Sequence, residues 1–279
     1  MSVFINHNTR VLVQGITGTE GQKLARKMIE FGTHVVAGVS PGNGGDWFMD
    51  GKIPIFDSTH NAVELTGANV ALVTVPARFA KDALLECAVA NIRLVISITE
   101  GIPLKDMMLV KRFYQMNGVR LLGPSSPGIL SPGLSMIGSF PFREIKTGDV
   151  GIVSRSGSLT YEAIDTLQAA GVGISTCVGI GSAPIHGLGF IEVLDAMQMD
   201  MATQEIVLIG KVGSDEEIEA LAYAQNNILK PITVYLYGYS HSDKNNTGLI
   251  SDNFAIAKTM KELADILTTK RNYSKISST

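Results

Sequence analysis

The segment Gly148-Asp-Val-Gly-Ile-Val-Ser-Arg-Ser-Gly-Ser-Leu-Thr-Tyr-Glu162 runs an apolar stretch into Ser154, Arg155, Ser156, Gly157 and Ser158, and then into helix-like sequence. Residues of these types, in this order, suit phosphate binding. Small side chains let the backbone approach an anion, and the first turn of a helix presents unpaired N–H groups at the positive end of its dipole. The serine hydroxyls add donors and Arg155 adds a charge. The same residues also fit an ordinary strand-to-helix turn capped by serine. A second loop, Gly15-Ile-Thr-Gly-Thr-Glu-Gly21, has the glycine spacing of a nucleotide-phosphate turn,. A dinucleotide site also asks for an acid at the end of the following strand. Here that strand ends Gly38-Val-Ser-Pro-Gly-Asn-Gly-Gly45, which supplies none, so a nucleotide-bearing ligand other than NAD is expected,.

Both loops need strands to lead into them and helices to follow. Short β-branched runs at Arg10–Gln14, His34–Val39, Val70–Val75, Leu94–Ile98 and Val119–Gly123 alternate with helical patterns at Gly21–Phe31, Ala80–Ala90 and Leu104–Asn117,. Proline and glycine crowd the interval Pro124–Gly148, which reads as the connection between domains,. Beyond it, strands at Val150–Val153, Ser175–Val178, Glu205–Ile209 and Pro231–Leu236 alternate with helices centred near Ala163, Val193, Ile218 and Lys258. The tail after Arg271 reads as frayed. This alternation predicts parallel sheets covered by helices on both faces, an α/β fold of two doubly wound domains.

The 279 residues exceed what one core commonly holds, and 45% apolar residues allow two,. With 18% charged residues and a net charge of −3, the chain has no electrostatic pull toward nucleic acid or membrane,. No basic-then-apolar leader and no run of spanning length is present, so a cytoplasmic protein is expected,. Cys87 and Cys177 lie in apolar contexts and suggest neither a disulfide framework nor a metal site,.

Three further strand ends carry unusual residues: Thr74-Val-Pro-Ala-Arg78, Ser97-Ile-Thr-Glu-Gly-Ile-Pro103 and Leu122-Gly-Pro-Ser-Ser-Pro-Gly128. Together with the Gly15–Gly21 loop they resemble the CoA-binding domain of the succinate–CoA ligase α-subunit family. The Gly148–Glu162 segment resembles that family's phosphate-binding helix, and the similarity extends over about residues 1 to 236. The resemblance implies a Rossmann-like CoA-binding domain over 1–130 and a flavodoxin-like ligase domain over 147–279. It implies that Thr17, Gly18, Thr19 and Glu20 face the phosphates of CoA or acyl-CoA, that Ile98, Thr99 and Glu100 border its pantetheine or adenine end, and that Pro76 shapes the groove. Asn43, Ser125 and Ser126 stand at further CoA-contact positions, and Tyr161 at the position near the carboxylate substrate. In this family an α-subunit histidine is phosphorylated by nucleotide on an ATP-grasp β subunit, which also holds magnesium. Succinyl phosphate then forms, and CoA displaces phosphate.

The family pattern breaks where that histidine belongs. The family motif Gly-His-Ala-Gly-Ala has no counterpart in Tyr235-Leu-Tyr-Gly-Tyr-Ser-His-Ser-Asp-Lys-Asn-Asn-Thr-Gly-Leu-Ile250, which leads almost directly into Ala255–Leu267, read as the family's final helix. The family's Gly-Glu-Ile-Gly-Gly stands as Gly210-Lys-Val-Gly-Ser214, and its Gly-Ile-Gly-Gly-Asp-Pro as Gly179-Ile-Gly-Ser-Ala-Pro184, so two acids are lost. Asn43 stands where a lysine is usual. His241 and His186 are the substitute carriers to consider, against readings as a turn histidine and a loop histidine. Lys211 is either a surface charge or the neutraliser of an anion at Ser154–Ser158. Three functions are compatible with these residues: a CoA- and phosphate-binding protein without the phosphohistidine route, an acid–CoA ligase α subunit with a displaced carrier, and an acyl or carbamoyl transferase subunit. A β-type partner or self-association is expected.

Overall fold

The computed structural model describes residues 3–141, 144–238 and 254–276. The chain forms two compact units: Phe4–Arg143 with Gly179–Leu188, and Glu144–Val178 with Gly189–Thr279 and Met1–Val3.

In the first unit, β1 (Val11–Gln14), β2 (Val35–Val39), β3 (Trp47–Phe48), β4 (Ile53–Phe56), β5 (Val70–Val73), β6 (Leu94–Ser97) and β7 (Arg120–Leu122) form a sheet in the order β3-β4-β2-β1-β5-β6-β7. All pairings are parallel except β3 with β4. The chain therefore winds outward from β1 in both directions. That makes the carboxyl ends of β1 and β5 the switch point at which open α/β sheets bind ligands. Four helices cover the sheet: α1 (Thr19–Phe31), α2 (Thr59–Thr66), α3 (Ala77–Val89) and α4 (Leu104–Asn117). Helix α1 turns Gly21, Leu24, Ala25 and Met28 inward, a helical spacing that explains why this stretch folds as it does,.

The interval read as an irregular connection contains an antiparallel hairpin, β8 (Gly128–Ser131) with β9 (Ser135–Gly138). Thr33 ties it to the end of α1: its hydroxyl donates to the Met136 carbonyl at 2.7 Å and accepts from the Met136 N–H at 2.9 Å. Gly128 and Gly138 face each other so closely that a Cβ on either would sit about 2 Å from main-chain oxygen. The glycines that suggested a linker are thus required by close strand pairing.

The second unit contains β10 (Thr147–Ser154), β11 (Ile174–Gly179), β12 (Glu205–Lys211), β13 (Ile232–Tyr237) and β14 (Ala255–Ala257), in the order β14-β13-β12-β10-β11. This is the flavodoxin-like arrangement, with the switch point at β10. Helices α5 (Gly157–Ala169), α6 (Phe190–Met199), α7 (Asp215–Asn227) and α8 (Met260–Ile276) accompany it. The expectation of helix over Ala255–Leu267 needs correction. Ala255, Ile256 and Ala257 form a strand paired in parallel with Thr233, Val234 and Tyr235, and the helix begins at Met260. A short apolar run does not distinguish strand from helix by period. The informative signal is the polar cap: Thr259 Oγ1 accepts from the Glu262 N–H at 3.0 Å, and the Glu262 carboxylate accepts from the Lys258 N–H just before it at 2.8 Å,. The helix also continues past Arg271, where the sequence suggested fraying. No helix among the described residues is long and apolar enough to cross a membrane.

Candidate functional site

In the first unit the glycine loop closes the end of β1. Gly15 has φ 85, and a Cβ there would meet Thr74 Oγ1 at 2.9 Å; a Cβ on Gly21 would meet the Gly15 carbonyl oxygen at 2.1 Å. Gly15 therefore permits the turn and Gly21 permits the helix to pack against it. Gly18 is the N-cap of α1, and no side chain caps that end. The N–H groups of the first turn are left facing outward beside Thr17, as a phosphate requires.

A cavity of about 760 Å³ opens at this point. Gln14, Gly15, Thr17 and Gly18 form one wall, with Ser40 and Pro41 at the end of β2 and Thr74, Pro76, Phe79, Asp82 and Glu86 opposite. Its inner end is a polar junction. The Gln14 side-chain amide donates to Thr59 Oγ1 at 2.6 Å, to the Ala83 carbonyl at 3.2 Å and to Glu86 Oε2 at 3.2 Å, while Glu86 Oε1 accepts from the Thr59 N–H at 2.8 Å. Burial pushes the neighbouring Cys87 thiol up to about 12, with the Glu86 carboxylate adding to the rise,.

Along the rim, hydrogen bonds tie one strand end to the next. Thr74 Oγ1 donates to the Gln14 carbonyl (2.7 Å), Thr99 Oγ1 to the Val75 carbonyl (2.8 Å), and the Ser125 N–H to the Thr99 carbonyl (3.1 Å). Thr17, Gly18 and Pro76 line the cavity. Thr19 and Glu20 lie on the exposed first turn of α1, with Glu20 3.7 Å from Lys23. Ile98, Thr99 and Glu100 follow β6 along the rim, and only Glu100 is exposed. Ser126 is buried, donating to the Gly179 carbonyl at 2.5 Å and accepting from the Gly128 N–H at 2.9 Å, so its hydroxyl shapes the turn. Asn43 donates to Ser40 Oγ at 3.0 Å.

In the second unit Ser156 caps α5, accepting weakly from the Leu159 N–H at 3.4 Å, and its own N–H donates to Ser154 Oγ at 3.1 Å. Gly157 and Ser158 open the helix, and Ser158 is exposed 3.3 Å from Ser156 Oγ. Tyr161 is half-buried one turn on. The charge expected from Arg155 is engaged within the unit. Its guanidinium lies 3.1 Å from Glu216 and 3.5 Å from Glu217 at the start of α7. Glu217 is buried and also accepts from the Lys211 N–H at 2.8 Å, whereas the Lys211 side chain is exposed at the end of β12. Tyr237 completes the group: burial and then Glu217 raise its hydroxyl's pKa, with Arg155 opposing. Sequence reasoning missed Glu216 and Glu217 because their Asp-Glu-Glu run reads as a solvated helix start. His186, the other candidate carrier, lies in the Gly179–Leu188 segment. It is 8% exposed, with Nδ1 3.1 Å from the Ala183 carbonyl, and it belongs to the first unit. His241 lies outside the described residues.

Comparison with known proteins decides the family. The CoA binding domain model matches residues 6–101, and the succinyl-CoA ligase like flavodoxin domain model matches residues 147–270. The α subunit of succinate–CoA ligase [ADP-forming] from Aquifex aeolicus is 47% identical over 240 residues, covering 85% of this chain and 78% of that one. The chain belongs to the succinate–CoA ligase α-subunit family. The Staphylococcus epidermidis α subunit is 45% identical over 238 residues, with the same coverage. Among solved structures, ATP citrate lyase from Methanothrix soehngenii in complex with citrate and coenzyme A superposes with a TM-score of 0.80 at 20% identity, over 96% of this chain and 51% of that one. The dinucleotide-forming acetyl-coenzyme A synthetase 1 of Ca. Korarchaeum cryptofilum superposes with a TM-score of 0.73 over 91% of this chain and 58% of that one. These two likenesses concern the fold. Within the family frame, the first-unit cavity falls in the CoA-binding match and the α5 start falls in the ligase match.

Proposed function

We propose that this succinate–CoA ligase α-subunit family member binds CoA or an acyl-CoA in the first-unit cavity and a phosphate-like anion at the start of α5, and does not use the phosphohistidine route. The observation that carries the CoA reading is the 760 Å³ cavity beneath the uncapped start of α1, inside the region matched by the CoA-binding domain. Thr17, Gly18, Thr19 and Glu20 would meet the phosphates, Pro76 the edge of the groove, and Ile98, Thr99 and Glu100 the end nearer β6. A glycine-built turn suits the group, because a Cβ at Gly15 would crowd Thr74 and Val75 and one at Gly21 would collide with the Gly15 carbonyl.

The loss of the carrier is supported by the sequence between β13 and β14, which lacks Gly-His-Ala-Gly-Ala, and by the burial of His186. The anion reading is supported by Ser154, Ser156 and Ser158 around the α5 start. Lys211, exposed at the end of β12, and Tyr161, one turn into α5, are the further residues this reading assigns to the anion, and Arg155 is already balanced by carboxylates. Nucleotide and magnesium would reach such a protein only on a partner, an ATP-grasp β-type subunit; self-association is the other arrangement.

Calorimetry with CoA tests the central part of this reading. Saturable binding is expected for the natural chain. Gly18→Val should abolish it: φ at Gly18 is −72, which an L-residue adopts without strain, but the new side chain would cover the N–H groups,. Undetectable heat at millimolar CoA, or unchanged affinity in Gly18→Val, would overturn the assignment.

A further inference from the structure

The carboxyl ends of the first-unit strands carry the cavity proposed for CoA. At their amino ends a second cavity, of about 530 Å³, opens between the turn from α3 into β6 and the turn from α4 into β7. Asn91 and Arg93 line it from the first turn, Asn117, Gly118 and Arg120 from the second, and buried Ile92 adds an apolar wall. The backbone fixes this arrangement. Asn91 and Gly118 hold left-handed conformations, with φ of 62 and 65. The Ile92 N–H donates to the Cys87 carbonyl at 3.1 Å, and the Arg120 N–H to the Arg93 carbonyl at 2.9 Å.

Among the described residues lining this cavity, the charged ones are Arg93 and Arg120, both cationic. The imbalance extends along this end of the sheet. Residues 4–10, 32–34, 67–69, 90–93 and 117–120, at the amino ends of β1, β2, β5, β6 and β7, include Arg10, Arg93 and Arg120 but no aspartate or glutamate, in a chain whose net charge is −3. Arg10 is engaged, its Nε donating to the Thr66 carbonyl at 2.8 Å. Arg120 lies 5.6 Å over the Phe4 ring, and the exposed Arg93 guanidinium has no hydrogen bond or ion pair among the described residues. Helices α3 and α4 end here, but backbone N–H groups close them: Ala90 donates to the Glu86 carbonyl and Val119 to the Tyr114 carbonyl, so neither guanidinium is occupied in capping,.

We infer that this cavity binds the phosphate group of a small phosphorylated molecule. A phosphate monoester carries a charge between about −1.5 and −2 at neutral pH, which two guanidiniums balance. Each guanidinium presents a planar fork that matches phosphate oxygens. The volume suits a small molecule. For a hydroxylated body there are the Asn91 carboxamide and Asn117 Oδ1, since Asn117 Nδ2 already donates to the Phe113 carbonyl at 2.8 Å,. This site is independent of the CoA reading and stands or falls without it.

The test is an NMR titration of the full chain with inorganic phosphate, followed at the backbone amides of Asn91, Ile92, Gly118 and Arg120. Saturable shifts at millimolar phosphate are expected. Arg93→Gln and Arg120→Gln should each weaken binding about tenfold, and Arg93→Lys less, because it keeps the charge and loses the fork. Shifts at Ser156–Leu159 should be the same in all three variants, which separates this cavity from the start of α5. Glycerol 3-phosphate should shift the same four amides, while vesicles of phosphatidic acid and phosphatidylcholine should not sediment the chain. Drift without saturation at the four amides, or unchanged affinity in the Arg93→Gln, Arg120→Gln double variant, would overturn the site. Sedimentation with the vesicles that Arg93→Gln abolishes would overturn its assignment to a small molecule.

Discussion

Cys87 shows how strongly the floor of the first-unit cavity is isolated from water. It is fully buried against Gln14, and its thiol is pushed from 9.0 to about 12. Between these values the unfolded chain gives up a proton that the folded chain keeps. The thiol's contribution is therefore complete below pH 9 and is lost as pH rises toward 12,. Urea unfolding at pH 8 and pH 10 should show stability falling by roughly 1.4 kcal/mol per pH unit above the lower value for each such group. Cys177 adds to the fall, since burial raises its pKa too. Cys87→Ala should make the fall shallower, and an identical pH dependence in that variant would contradict the placement of the thiol. At this scale the sequence is partly legible. Gly15 and Gly21 of the turn after β1 announce themselves, because a side chain does not fit so close an approach. The partners of Gln14 do not: Thr59, Ala83, Glu86 and Cys87 lie 45 to 73 positions away and meet it only through folding.

At the scale of elements, the start of α5 owes its electrostatics to the start of α7. Glu216 and Glu217 hold Arg155, which lowers the positive potential that a serine-rich helix start would otherwise offer,. Glu217→Gln preserves an acceptor for the Lys211 N–H and removes one charge from Arg155. Titration with inorganic phosphate followed by phosphorus NMR should then show affinity raised by about threefold to tenfold. Unchanged affinity would mean that Arg155 does not contribute to the anion site. This pairing was hidden because the strand end and the helix start are 61 positions apart for Arg155 and Glu216. The elements themselves were mostly readable from β-branched runs and helical spacing. The failures fell where the pattern is short, as at β3, β14 and the β8–β9 hairpin, or where a polar cap and not an apolar stripe marks the boundary, as at Thr259.

At the scale of the whole chain, two α/β units with the strand orders of nucleotide-binding and flavodoxin-like sheets match the two family domains in sequence order. The repeated strand–helix alternation made this architecture legible before any coordinates, since a parallel sheet requires covered faces and crossover helices. The sequence contains no Gly-His-Ala-Gly-Ala run, the observation on which the proposed loss of the phosphohistidine route rests. The most direct test is phosphoryl labelling. The chain is incubated with a succinate–CoA ligase β subunit, magnesium and ATP or GTP labelled at the terminal phosphate, with a relative's α subunit as the control. The proposal predicts an acid-labile label on the control α subunit and none on this chain, whose CoA-type binding is intact. Stoichiometric acid-labile label on this chain would contradict it.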